Sequence, residues 1–113
     1  MGLKKRVRVY VAGPISIGEF MSNIRKGITA AEDLRRLGFY PFCPFLDVVW
    51  QLVHPMSYEE LLEQDFAWVE ICDALYRMPG ESPGADREVA HAKSIGIPVF
   101  TSIRELDEAM PRE

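Results

Sequence analysis

Cysteine, histidine and cationic charge are all scarce in this chain, and each scarcity closes off a class of function. Cys43 and Cys72 are the only 2 cysteines in 113 residues. They stand apart with no signal peptide ahead of them, so a disulfide framework is not expected. Reduced thiols packed as small hydrophobes in a cytoplasmic protein are. The 2 histidines, His54 and His91, have no cysteine or carboxylate at a ligand spacing, and no metal site is expected. No apolar run reaches the ~20 residues that a bilayer span requires, so a membrane partner is not expected either. Lys and Arg total 13 against 17 Asp and Glu, for a net charge of −4, which argues against an extended nucleic-acid footprint. The one basic cluster, Lys4-Lys5-Arg6-Val7-Arg8, reads as a solvated lead-in to the first strand. Internal repeats, linkers and low-complexity segments are lacking as well.

What the chain does have is a regular alternation of strand and helix signals. With 48% hydrophobic and 27% charged residues, its composition is that of a globular protein with room for one domain spanning residues 1–113. Val7 to Ala12 is apolar at nearly every position, as a central parallel strand covered on both faces should be. From Glu19 to Leu37, residues Phe20, Ile24, Ile28, Ala31, Leu34 and Leu37 recur at helical spacing, and Gly38 stops the helix. Phe39 to Phe42 is a second strand closed by Pro44. Residues 44–56 are expected to be a loop rich in large apolar groups, Phe45, Leu46, Trp50 and Pro55 among them. It serves either as a pocket wall or as packing over the sheet edge. Ser57 and Glu60 form a capping box for a helix running to about Cys72. Ala74 to Met78 is a third strand, followed by the loop Pro79 to Gly84 and a helix to about Ile95. Ile97 to Phe100 is a fourth strand, and Ser102 with Glu105 caps a final helix through Met110. The pattern predicts an α/β fold, a small parallel sheet of four to five strands with helices on both faces.

In such a sheet, ligands bind at the carboxyl ends of the strands, where helix N-termini point unpaired amides into a crevice. Two loops answer that description: Gly13-Pro14-Ile15-Ser16 after the first strand, and Pro79 to Gly84 after the third. Glu88 is placed in the first turn of the helix after the second loop. There the helix dipole favours its ionised form, so a lowered pKa is expected, suited to a nucleophile or charge stabiliser rather than a general acid. An acidic residue is also favoured in a first helical turn whatever its role. Ser82 and Gly84 offer a hydroxyl and close backbone approach to a phosphate or to a sugar 5′-hydroxyl, or else simply make a turn. Tyr10 ends the first strand where its hydroxyl can orient a carboxylate, unless it only packs in the core. Asp65 lies within the third helical segment. If it faces inward it needs a partner, and if outward it is an ordinary solvated carboxylate.

The combination of Tyr10-Val11-Ala12-Gly13-Pro14, Asp65, Cys72-Asp73-Ala74-Leu75 and Gly84-Ala85-Asp86-Arg87-Glu88 with Ala92 resembles the nucleoside 2-deoxyribosyltransferase superfamily over about residues 7–100. The resemblance implies a flavodoxin-like sheet and cleavage of the N-glycosidic bond of (deoxy)nucleosides or their 5′-monophosphates, by transfer to another base or to water. It implies Glu88 as nucleophile, Tyr10 as the tyrosine hydrogen-bonded to it, and Asp65 as the acid that assists the departing base. It implies Ser82 as a phosphate-contacting serine and Gly13, Pro14, Ile15, Ser16, Gly84 and Asp86 as further substrate-binding positions. No cofactor is required by this chemistry, the partner is a small nucleoside or nucleotide, and a homodimer or larger homo-oligomer is implied. Pro14 and Ser16 occupy the places where the hydrolase branch of that superfamily carries serine and arginine. Phe20, Phe45 and Trp50 are candidates to stack on the base or to pack in the core. Three other readings stay open: a loop like that of nucleoside monophosphate phosphoribohydrolases, a nucleotide or nucleotide-sugar binding module on the same fold, and a structural or partner-binding domain served by the apolar 44–56 segment.

Overall fold

The structure, a computed structural model, describes residues 6–112, and Lys4 and Lys5 of the basic cluster lie outside the described residues. Strand β1 (Arg8–Ala12) is the hub of a four-stranded parallel sheet. It pairs with β2 (Tyr40–Phe42) on one side and β3 (Ala74–Arg77) on the other, and β3 pairs with β4 (Val99–Phe100), giving the order β2-β1-β3-β4. This is the flavodoxin-like order, whose topological switch point lies between β1 and β3.

The apolar run of β1 divides by the period of two that a strand imposes. Val7, Val9 and Val11 enter one core layer, beneath helix α1 (Phe20–Arg36), which contributes Ala30 and Leu34, and helix α5 (Ile103–Ala109), which contributes Leu106. Tyr10 and Ala12 point the other way. They join Val69 of helix α3 (Tyr58–Val69) and Ala85 and Ala92 of helix α4 (Pro83–Ser94) in the second layer. Both faces of the sheet are therefore covered, as the nearly continuous apolar strand predicts.

The segment expected to be a loop at 44–56 is instead mostly helical. One 3-10 turn, Pro44–Leu46, runs directly into helix α2 (Asp47–Val53). The two prolines that suggest a loop sit where helices tolerate them: Pro44 opens the 3-10 turn, where no amide is needed, and Pro55 follows the α2 C-cap residue His54. Strand β4 is two residues rather than four. Pro98 cannot donate to a ladder, although its carbonyl still accepts from the Leu75 amide at 3.0 Å.

The 3-10 turn is anchored by Phe45, which is buried in the α1 layer against Gly27. A Cβ at residue 27 would overlap the Phe45 ring carbons. Gly27→Ala is therefore expected to lower stability by about 1–2 kcal/mol, despite alanine's better helix propensity, because overpacking a filled core costs about 1–3 kcal/mol. A denaturant titration of both proteins checks it. Gly13 serves the site itself, since a Cβ there would stand 2.9 Å from Cβ of Met78, and only glycine lets the loop after β1 pass this close to β3.

Candidate active site

Helix α4 begins earlier than the sequence suggests. Ser82 is its N-cap, with the hydroxyl oxygen accepting from the Ala85 amide at 3.1 Å, and Pro83 takes the first helical position. Glu88 is consequently in the second turn rather than the first. From there its side chain points inward and is only 6% exposed. The Tyr10 hydroxyl, fully buried on β1, donates to Glu88 Oε2 at 2.7 Å. Tyr10 is itself held in a stack of rings, 5.6 Å from Phe42, which stacks in turn on Trp68 at 4.8 Å.

Asp65 faces inward from α3. It is buried, and its Oδ1 has no hydrogen-bond partner. Its carboxyl group lines the same cavity as that of Glu88, and the two acids influence each other's protonation. Burial pushes the pKa of both groups well above the usual carboxylate range, and the charge of Asp65 raises Glu88 further. The expected lowering of the Glu88 pKa is therefore wrong. Loss of hydration at a buried second-turn position outweighs the helix dipole, which fades beyond the first turn. Two influences oppose the rise at Glu88, the Tyr10 hydrogen bond and the positive charge of Arg77. Burial and the surrounding acids push the Tyr10 hydroxyl far above its ordinary pKa, so it remains a donor. Asp47, at the start of α2, adds a third negative charge felt by both Asp65 and Tyr10.

These groups open onto a cavity of about 500 Å³ at the switch point, a size typical of small-molecule sites. Of the residues singled out in the sequence, Gly13, Ile15, Ser16, Asp65, Ser82, Gly84 and Glu88 line it, with Tyr10 behind Glu88. Two do not. Pro14 lines a neighbouring cavity, and Asp86 turns outward to pair with Arg77 at 3.0 Å. The proposed stacking aromatics do not line it either: Phe45 is in the core, and Phe20 and Trp50 are exposed. The aromatic wall is Tyr58, with Leu61 and Leu62 beside it. These three share the face of α3 that carries Asp65. An inward Asp65 therefore implies them at seven, four and three residues earlier, a signal present in the helical spacing. Among the described residues no cluster of metal-ligating side chains occurs, and no helix is long and apolar enough to cross a membrane.

Fold and site together define a doubly wound α/β protein with two buried carboxyls, one of them hydrogen-bonded to a tyrosine, at its topological switch point. Chemically, two buried carboxyls in one cavity offer a ligand there one group able to act as an acid and one as a base or nucleophile. Residues 7–101 match the family described as "Domain of unknown function (DUF4406)", and the chain belongs to that family. No curated protein matches the sequence. Among solved structures, it resembles a 2-deoxyribosyltransferase from the psychrotolerant bacterium Bacillus psychrosaccharolyticus, described as a biocatalyst for the synthesis of antiviral and antitumoral nucleosides. The TM-score is 0.65 at 24% identity, over 82% of this chain and 69% of the other. That likeness establishes the shared fold.

Proposed function

We propose that this protein, as a single domain over residues 1–113, cleaves the N-glycosidic bond of a (deoxy)nucleoside or its 5′-monophosphate through Glu88 and passes the sugar to water or to another base. The observation that carries the reading is the Tyr10 to Glu88 hydrogen bond of 2.7 Å, inside a cavity that also holds Asp65. The structural neighbour, named as a 2-deoxyribosyltransferase, points to the same substrate class.

The pair works from the state with one proton, carried by Asp65. Tyr10, which donates to Glu88 Oε2 at 2.7 Å, stabilises the carboxylate that attacks. Glu88 attacks C1′, and the C1′–N bond breaks with its electron pair going to the base. The Asp65 proton passes to that nitrogen, leaving the sugar esterified to Glu88. Water or a second base then attacks C1′, returns a proton to Asp65 and releases Glu88 as a carboxylate. Tyr58 stacks against the base, and Ser82 meets the far end of the sugar. A homo-oligomer is part of this reading, supported by the exposed apolar side chains of Leu46, Val49, Trp50, Leu52 and Val53 along the 3-10 turn and α2.

Chromatography of reactions with each common nucleoside and 5′-monophosphate, ribo and deoxy, with and without a second free base, tests the proposal. Wild type releases free base and Glu88→Ala does not. Silence across the panel from folded, assembled protein would favour a binding module instead. Tyr10→Phe is expected to lower kcat/KM at neutral pH by about 10–100-fold, the worth of a hydrogen bond to a charged group. It also moves the acidic limb of the pH–rate profile upward, since the Glu88 carboxylate loses its donor.

A further inference from the structure

We infer that the substrate is an unphosphorylated nucleoside, held through its neutral 5′-hydroxyl beside Ser82, and that the 5′-monophosphate is disfavoured by charge. The inference rests on the N-glycosidic reading above and narrows it.

The polar lining of the cavity consists of Asp65, Glu88, Ser82, Ser16 and Tyr58, and among the described residues no Lys, Arg or His lines it. With one proton, the two carboxyls still carry one negative charge, and the charge of Asp47 reaches the same region. A phosphate ester of about −2 charge at neutral pH entering here would meet like charge from the ionisable side chains that line the cavity. The nearby cations are committed elsewhere. Arg77 pairs with Asp86 at 3.0 Å and donates to the Gly80 carbonyl at 2.9 Å, and Arg87 pairs with Glu59 at 2.9 Å beneath Tyr58. Lys26 belongs to the adjoining cavity of about 290 Å³, which shares only Ile17 with the first and carries Glu81 of its own.

The helix end that would cradle an anion is also partly spent. Pro83 has no amide and the Ala85 amide is taken by Ser82, so of the four N-terminal amides only those of Ser82 and Gly84 have no partner within the helix. Anion sites at helix N-termini work through several converging amides and, commonly, a cation. A neutral hydroxyl asks for less. The Ser82 oxygen already accepts from Ala85, which leaves its proton free to be donated to a 5′-oxygen.

The experiment uses the assembled wild-type protein and matched pairs of nucleoside and 5′-monophosphate for the common bases, ribo and deoxy, at low salt and at about 0.5 M salt. Base release gives kcat/KM wherever cleavage occurs, and titration calorimetry gives Kd where it does not. The nucleoside is expected to be preferred by at least about tenfold at low salt. The gap should narrow at high salt, because screening weakens charge repulsion but leaves steric exclusion untouched. A preferred monophosphate, or equal treatment of the pair at both salt concentrations, overturns the inference even while base release upholds the glycosidic chemistry. Nucleoside binding in preference to monophosphate with no base released upholds the charge selectivity and sinks the glycosidic reading. Absence of both binding and cleavage overturns the two together.

Discussion

Glu88→Gln is expected to reduce base release by at least about 10³-fold while the protein becomes more stable at neutral and alkaline pH. On the proposed mechanism the rate loss follows from removing the nucleophile, since an amide oxygen cannot form the sugar ester, and losses of this order accompany removal of a group that acts in the transition state. The stability gain follows from the raised pKa of the buried acid. A carboxyl whose pKa is higher in the folded than in the unfolded state binds more protons when folded. Wild type therefore loses stability as pH rises from the ordinary carboxylate range through the folded value. Glutamine stays neutral throughout, and its carbonyl still accepts from the Tyr10 hydroxyl. A gain of about 1 kcal/mol above pH 7, seen as a Tm roughly 4–8 °C higher for a chain of this size, is expected. Paired melting curves between pH 5 and 9 check it, the two proteins converging at the acidic end where Glu88 is already neutral.

Asp65→Asn separates the acid from the nucleophile. With natural bases, whose departure is helped by protonation, the variant should lose about 10²–10⁴ in rate, the usual contribution of a positioned general acid. With an analogue whose base leaves as a stable anion, most of that loss should vanish, whereas Glu88→Gln remains inactive on both. A variant equally impaired on both substrates would assign Asp65 to positioning instead.

Much of the architecture was legible in the sequence because it rests on local rules. The run Val7 to Ala12, apolar at every position but Arg8, reads as a strand buried on both sides, and its division into two core layers follows from the pleat. The approach of Tyr10, Asp65 and Glu88 was legible only through family resemblance, because they lie on β1, α3 and α4 and no local spacing brings them together. The protonation of Glu88 was misjudged through a small error of register. Ser82-Pro83 is a helix-opening pair, N-cap then first position. Reading it so moves Glu88 one turn inward, where burial rather than the dipole governs its pKa. Helix α2 escaped notice because Pro44 and Pro55 suggest a loop and because none of its residues is buried, so no apolar stripe faces the core. Tyr58 was overlooked as a cavity wall since it stands next to a capping serine, although its spacing from Asp65 places both on one face of α3.

The central claim is that Glu88 takes the sugar. Its most direct test is rapid quenching of wild-type protein with a cleavable nucleoside, followed by peptide mass mapping. A mass increase of one (deoxy)ribosyl group on the peptide containing Glu88, absent from Glu88→Gln, is the expected result. Base release with no modification at Glu88, or with the sugar carried by another residue, would contradict it.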